Sequence, residues 1–159
     1  RFGCQNNVDF IFASFTRRPA DINAIRKICI EEGKPHINII AKIENQEGVS
    51  NLAEILSVAD GIMVARGDMG VEIDFTELPG IQKNIIERSF SFGKPIVTAT
   101  QMLDSMCTRA VPTRAEVSDI YNAVLDGAAS VMLTGETAAG QYPMQAMEYL
   151  VRTAQTALA

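Results

Sequence analysis

The sequence lacks the features that define several common protein classes. No apolar run approaches the roughly 18 residues of a membrane span, so no membrane partner is predicted. No block of lysine and arginine occurs and the net charge is −5, which argues against a nucleic-acid partner. The start of the chain has no signal-peptide pattern, yet it begins with Arg1 and not Met, which suggests a piece of a longer chain.

Cysteine and histidine are also scarce. The three cysteines are odd in number and show no Cys-x-x-Cys spacing, so reduced thiols are expected, with neither a disulfide framework nor a zinc site. The only histidine, His36, precedes a predicted strand and is not expected to be catalytic. Cys107 has no evident histidine partner, so a thiol nucleophile is not predicted either.

Predicted strands alternate with predicted helices along the whole chain. The length of 159 residues corresponds to about one domain, and 47% hydrophobic residues are enough for a core. The predicted strands are the β-branched runs at 8–15, 37–44, 61–68, 95–101 and 130–136. Five helices are predicted between and after these strands. The first follows Pro19, the second contains Leu52 and Leu56, and the third runs from about Leu78 to Gly93. The fourth begins with a capping box at Thr113, and the fifth begins at Pro143.

A strand followed by a helix, repeated without hairpin signals, predicts parallel strands with right-handed crossovers. Two α/β architectures fit this pattern. One is a doubly wound sheet of five strands, and the other is about five-eighths of a (β/α)8 barrel. The periodicity leaves both open.

Polar residues cluster where the predicted strands end, and the carboxyl edge of parallel strands is the functional edge in both architectures. Lys42 and Glu44 share one face of their strand because side chains alternate. The other polar positions at strand ends are Ser14, Arg66-Gly67-Asp68, Thr98, Thr100, Thr134 and Glu136. We therefore expect these side chains to line one site.

Glu44 and Asp68 form a candidate Mg²⁺ site, because Mg²⁺ is usually held by one or two carboxylates together with substrate oxygens. Lys42 would add a positive charge for a phosphoryl group. The alternative is a simple ion pair between Lys42 and Glu44 at a strand end. In "ARGDMG", Gly67 and Gly70 would let the backbone approach an anion.

Six stretches at or near the predicted strand ends are distinctive: "KIENQEG" (42–48), "DGIMVARGDMGVE" (60–72), "TATQMLDSM" (98–106), "PTRAE" (112–116), "NAVLDGA" (122–128) and "LTGET" (133–137). Together they are similar to motifs of the pyruvate kinase family. The resemblance implies a partial (β/α)8 TIM barrel. Residues 1–159 would be a single segment carrying its last five strands, without the first three strands, the lid domain and the C-terminal effector domain.

The resemblance also implies roles at the phosphoryl end of the site. Lys42 resembles the lysine that stabilises the phosphoryl group during transfer. Glu44 and Asp68 resemble the ligands of Mg²⁺ or Mn²⁺. Ser14 is similar to a serine that lies near the phosphate.

At the carboxylate end, the resemblance implies that the backbone N–H groups of Gly67 and Asp68, together with the Thr100 hydroxyl, bind the substrate carboxylate. Thr134 and Glu136 correspond to groups near the proton that converts enolate into pyruvate. The implied reaction is the glycolytic conversion of phosphoenolpyruvate and ADP to pyruvate and ATP. A K⁺ ion with ligands outside this chain, a homotetramer and a cytoplasmic location are also implied.

Some residues depart from the family pattern, and rival interpretations stay open. Thr134 and Ala139 stand where the family commonly has serine and lysine. A metal-dependent pyruvate aldolase or lyase would use similar groups without ADP. The missing strands also allow a non-catalytic barrel fragment that needs a partner segment, and the isolated segment is expected to be inactive.

Overall fold

The computed structural model describes residues 1–159 and divides the chain into two compact units, Arg1–Ile96 and Val97–Ala159. Its five strands are β1 (Phe10–Ala13), β2 (Asn38–Ile43), β3 (Gly61–Ala65), β4 (Ile96–Ala99) and β5 (Ser130–Met132). The sheet order is β1-β2-β3-β4-β5, the same as the chain order. Parallel strands that alternate with helices confirm the predicted partial α/β barrel.

The five predicted helices are all present. They are α2 (Pro19–Glu31), α4 (Leu52–Val58), α6 (Leu78–Ser91), α7 (Arg114–Leu125) and α9 (Pro143–Leu158). Short helices not predicted from the sequence are α1 (Phe2–Gln5), α3 (Gln46–Ser50), α5 (Arg66–Glu72), α8 (Gly135–Ala138) and a 3₁₀ turn over Asp104–Cys107. None of the helices is both long and apolar enough to cross a membrane.

The predicted extents of the third and fifth strands were wrong. The fifth strand was predicted over 130–136, but β5 ends at Met132 and helix α8 begins at Gly135. We predicted a strand over 61–68, but β3 ends at Ala65 and helix α5 begins at Arg66. Met69 is buried within α5, and its packing offsets the low helix propensity of Gly67 and Gly70. The Arg66-Gly67-Asp68 segment is therefore the first turn of a helix and not the end of a strand.

The core of the first unit lies between its strands and helices. Alternate residues of β2 share one buried face, and each fully buried isoleucine contributes roughly 1.5–3 kcal/mol relative to an exposed one. The residues of this core include Ile22, Ile39, Ile43, Leu52, Ile55, Leu56, Ile62, Val64, Ile85 and Ile86. The core fixes which strand residues face away from it, and Lys42 is among them.

The second unit has its own core, built on α7, α9 and the segment after β4. Its buried residues are Met102, Leu103, Met106, Ile120, Ala123, Leu133, Ala146 and Leu150. Helix α7 begins with the predicted capping box, in which the Thr113 hydroxyl accepts the N–H of Glu116 at 3.2 Å. The cap and the core together hold the segments that follow β4 and β5.

An ion pair joins α2 to the residues at the amino ends of β2 and β3. Arg26 Nη2 lies 2.6 Å from Asp60 Oδ2, which also accepts the backbone N–H of Ile39 at 2.7 Å. Arg26 Nη1 donates to the Ile37 carbonyl at 3.2 Å. These contacts lie at the amino ends of the strands, opposite the predicted site, and their role is structural.

Candidate functional site

The end of β2 brings three predicted site residues into contact. Lys42 Nζ donates to Ser14 Oγ at 2.9 Å and lies 2.7 Å from Glu44 Oε1. The register explains the first contact, because Ala13 pairs with Ala41 and the next residues, Ser14 and Lys42, are therefore level. The side chain of Glu44 is fully buried, whereas that of Lys42 is 22% exposed. The ammonium group is thus fixed at the edge of the site and still reaches solvent.

The two carboxylate oxygens of Glu44 have different surroundings. Oε2 accepts the backbone N–H of Phe15 at 2.5 Å, and Phe15 adopts a positive φ of 53° to donate it. Oε1 is enclosed and has no hydrogen bond of acceptable geometry, although the Lys42 ammonium is within ion-pair distance. The two observations are compatible because charge attraction depends on distance, whereas a hydrogen bond also requires direction. One carboxylate oxygen therefore has unused capacity to bind a cation.

Asp68 lies near the end of the adjoining strand. Ile43 pairs with Val64 in the β2–β3 ladder, so Glu44 is level with Ala65, three residues before Asp68. The Asp68 side chain is exposed in the first turn of α5. No group of three or more His, Cys, Asp and Glu side chains is arranged to hold a metal ion. Magnesium is usually held by only one or two protein carboxylates together with substrate oxygens, so the site predicted at Glu44 and Asp68 stays a prediction.

Sequence reasoning missed both the cap of α3 and the close approach of this helix to the segment after β1. Asn45 caps α3 by accepting the N–H of Gly48 at 2.8 Å. A Cβ atom on Gly48 would lie 2.7 Å from the Thr16 carbonyl oxygen, closer than any real contact. The glycine thus permits a close approach that holds the backbone next to Ser14. The only sequence signal was Asn45 directly before the helix.

Thr100, at the end of β4 in the second unit, has strained backbone geometry. Its φ is 69° and that of Gln101 is 54°, and a positive φ is a genuine outlier for a β-branched residue. The Thr100 hydroxyl donates to the Ala99 carbonyl at 2.6 Å. Strain of this kind costs of order 1–3 kcal/mol and clusters at functional sites, which makes it an independent indication for Thr100.

Glu136 and Thr134 are in direct contact, but both Glu136 oxygens are already engaged. Oε1 accepts the N–H of Leu103 at 2.9 Å, and Oε2 accepts the N–H of Thr134 at 2.8 Å. The Glu136 side chain is buried, so these bonds join the end of β5 to the segment that follows β4. This arrangement suits a residue that positions Thr134 better than one that exchanges protons with a ligand.

Glu116 is a further carboxylate that holds the same segment. Its oxygens accept four hydrogen bonds, from Ser105 N at 2.8 Å, Ser105 Oγ at 2.6 Å, Thr113 N at 2.7 Å and Thr113 Oγ at 2.9 Å. Burial by itself would raise the pKa of Glu116, but the hydrogen bonds outweigh it and the pKa is lowered. The capping box was evident in the sequence, whereas the bonds to Ser105 were not.

Comparison with known proteins identifies the family. The family description "Pyruvate kinase, barrel domain" matches residues 1–147. This chain belongs to the pyruvate kinase family. The recognition made from "KIENQEG", "LTGET" and the other motifs is therefore confirmed.

Relatives with the name pyruvate kinase match almost the whole chain. The chain is 54% identical over 156 residues to pyruvate kinase of Clostridium acetobutylicum. The matched region covers 98% of this chain and 33% of that protein. It is 56% identical over 157 residues to pyruvate kinase of Staphylococcus aureus (strain USA300) and 57% identical over 157 residues to that of Staphylococcus epidermidis. The matched region covers 27% of each of these two proteins. The chain thus spans a third or less of the length of these pyruvate kinases.

Proposed function

We propose that the chain is part of a kinase that transfers the phosphoryl group of phosphoenolpyruvate to ADP, giving pyruvate and ATP with Mg²⁺. The observation that carries this proposal is the contact of Lys42 with Ser14 and Glu44 at the end of β2. Because the chain covers a third or less of its relatives, the activity is proposed for the longer protein. The 159-residue segment alone is expected to be inactive.

Lys42 is the residue proposed to meet the transferring phosphoryl group. A loose phosphoryl-transfer transition state asks for positioning and compensation of charge rather than covalent help. The Lys42 ammonium is held by Ser14 Oγ and by the Glu44 carboxylate, so its position is set before a substrate binds. A preorganised charge of this kind needs no reorganisation during the reaction, which is where its catalytic advantage arises.

Glu44 and Asp68 are the residues proposed to hold Mg²⁺, or Mn²⁺ in its place. Glu44 offers the enclosed Oε1 atom without a hydrogen bond, and Asp68 offers an exposed carboxylate at the adjoining strand end. A bound divalent ion would neutralise developing negative charge on phosphoryl and enolate oxygens. Phe15 holds the other oxygen of Glu44 and thereby orients the carboxylate.

The substrate carboxylate is proposed to accept hydrogen bonds from the backbone of Gly67 and Asp68 and from the Thr100 hydroxyl. The N–H groups of Gly67 and Asp68 lie in the first turn of α5, at the amino end of the helix, where the helix dipole favours a negative charge. The Thr100 hydroxyl would turn from the Ala99 carbonyl to the ligand. Thr134 is proposed to act near the enolate proton, with Glu136 fixing its backbone.

Replacing Lys42 with methionine tests the proposal, because methionine keeps most of the side-chain volume and removes the charge. We expect the turnover of the full-length protein with phosphoenolpyruvate and ADP to fall by a factor on the order of 10²–10³. Lys34→Met is the matched control, since Lys34 contacts Asn7 and precedes the amino end of β2, away from the carboxyl ends of the strands. Equal turnover in the Lys42 variant and the control would reject the role of Lys42.

The remaining family properties are proposed for the longer protein only. They are a K⁺ requirement with ligands outside this chain, assembly as a homotetramer, and a cytoplasmic location. Each would be measured on the full-length protein, by K⁺ dependence of turnover, by mass in solution and by cell fractionation.

A further inference from the structure

Cys4 and Cys29 form a buried pair of thiols in the first unit. Their sulfur atoms lie 4.0 Å apart, and both side chains are almost completely enclosed. They pack with Ile37 in a small cluster separate from the main core. Cys4 lies in α1 and Cys29 in α2, so the pair faces across the contact between these helices.

Polar contacts hold α1 at the carboxyl end of α2, next to Cys29. Arg1 forms ion pairs with Glu31, at 3.1 Å, and with Glu32. Just after the carboxyl end of α1, Asn7 Oδ1 accepts a hydrogen bond from Lys34 Nζ at 2.5 Å. The two thiols therefore remain neighbours although they are far apart along the chain.

The distance between the sulfur atoms suits a reduced pair that can become a disulfide. A disulfide bond is about 2.05 Å long, so the sulfurs must approach by about 2 Å. This movement requires rotation of the two cysteine side chains together with a small shift of α1, a helix of only four residues. A cavity of about 410 Å³ is lined by both cysteines and by Val8, Ile11 and Ile25, so a small oxidant that enters it comes next to the pair, and a local opening must then expose the enclosed sulfur atoms.

We propose that Cys4 and Cys29 are a redox modification site, at which a peroxide converts the two thiols to a disulfide that joins α1 to α2. One thiolate attacks the peroxide, so that an S–O bond forms, the O–O bond breaks and hydroxide leaves. The second thiolate then attacks that sulfur, so that the S–S bond forms, the S–O bond breaks and a second hydroxide leaves. The two thiols lose two electrons and two protons, and hydrogen peroxide is reduced to two waters.

The surroundings of the pair set the conditions under which the reaction is expected. Burial raises the pKa of the Cys29 thiol, and the neighbouring Cys4 thiol adds to this effect. The thiolate is the reactive form, so the reaction is slow at neutral pH. Cys107 also has a raised pKa because of burial and nearby carboxylates, and it serves as an internal reference thiol within the chain.

The test measures cross-linked peptides in the full-length protein after treatment with hydrogen peroxide. The reduced protein is exposed to the peroxide at about pH 8, blocked with N-ethylmaleimide, digested and analysed by mass spectrometry. We expect a linked peptide that contains Cys4 and Cys29, while Cys107 takes up the blocking reagent. The two linked cysteines should become available again after treatment with a thiol reductant.

Matched variants separate a true pair from two independent thiols. Cys107→Ser should leave the linked peptide unchanged, whereas Cys29→Ser should abolish it and leave a Cys4 sulfenic acid that dimedone traps. The wild-type measurement needs no substitution and decides the question even if a variant fails to fold. Independent blocking or overoxidation of Cys4 and Cys29 in the wild type, without a linked peptide, would overturn the proposal. The proposal does not depend on the kinase function.

Discussion

Replacing Glu116 with glutamine should destabilise the second unit by an amount that its contacts allow us to estimate. The carboxylate accepts two backbone N–H groups, from Ser105 and Thr113, and the hydroxyls of the same two residues. Glutamine keeps the shape but has one acceptor oxygen and an NH₂ group in place of the other. The two hydroxyls can rotate to suit an amide, whereas the two backbone N–H groups cannot.

The loss has two parts. If the amide oxygen keeps the Ser105 N–H, the amide NH₂ faces the Thr113 N–H and leaves that donor without an acceptor, at a cost of about 1–3 kcal/mol. The remaining bonds change from charged to neutral, which removes about 1 kcal/mol more. Because Glu116 is only half-buried, water can hydrogen-bond to some of the groups that lose their partner. We therefore expect the free energy of unfolding to fall by about 2–3 kcal/mol.

Urea unfolding followed by circular dichroism, at several pH values, measures this effect. The pKa of Glu116 is lowered in the folded state, so its contribution is fully present above the unfolded value of about 4.3 and is lost as the pH falls through the folded pKa. The difference between wild type and Glu116→Gln should therefore be constant from about pH 7 to about pH 5 and shrink below about pH 4.

Glu148→Gln is the matched control for charge removal. Glu148 lies 3.8 Å from Arg152 on the exposed side of α9, and such pairs contribute about 0.3–0.5 kcal/mol. If Glu116→Gln cost no more than this control, or if its effect were unchanged at low pH, the account of the Glu116 cluster would be wrong.

Three further stability changes follow from the first unit, each measured by urea unfolding. Asp60→Asn should lower the free energy of unfolding by about 2 kcal/mol, because it weakens the charged contact with Arg26. An unchanged urea midpoint would contradict this estimate. Gly48→Ala should cost about 1–3 kcal/mol, because the new Cβ would lie 2.7 Å from the Thr16 carbonyl oxygen. At Gly80 in α6 a new Cβ would meet no atom within 4 Å, so Gly80→Ala should stabilise the protein by about 0.5–1 kcal/mol. A lower free energy of unfolding for Gly80→Ala than for Gly48→Ala would refute the packing argument.

The parts of the fold that the sequence predicted correctly are those that depend on local signals. The Thr113 capping box and Pro143 mark the starts of α7 and α9 as expected. Alternation along β2 placed Lys42 and Glu44 on one face, and their contact follows from that alternation. The contact of Lys42 with Ser14 needed one more step, the parallel register of β1 and β2.

Other features could not be predicted because they arise from contacts distant along the chain. Helix α5 contains Gly67 and Gly70, which disfavour a helix in isolation, and the buried Met69 offsets this preference. The positive φ angles of Phe15 and Thr100 occur without a glycine, so no local signal marked them. The engagement of both Glu136 oxygens was also hidden, since Leu103 lies 33 residues away in sequence.

The central claim is that Glu44, at the end of β2, holds a divalent cation beside Lys42. The test is calorimetric titration of Mn²⁺ into the full-length wild type and into the variant Glu44→Gln. Glu47→Gln is the control, because Glu47 pairs with Arg18 at 2.7 Å and not with Lys42. We predict that Glu44→Gln weakens Mn²⁺ binding by at least about tenfold, equivalent to about 1.4 kcal/mol, and that Glu47→Gln changes it little. Equal Mn²⁺ affinity in the wild type and in Glu44→Gln would contradict the claim.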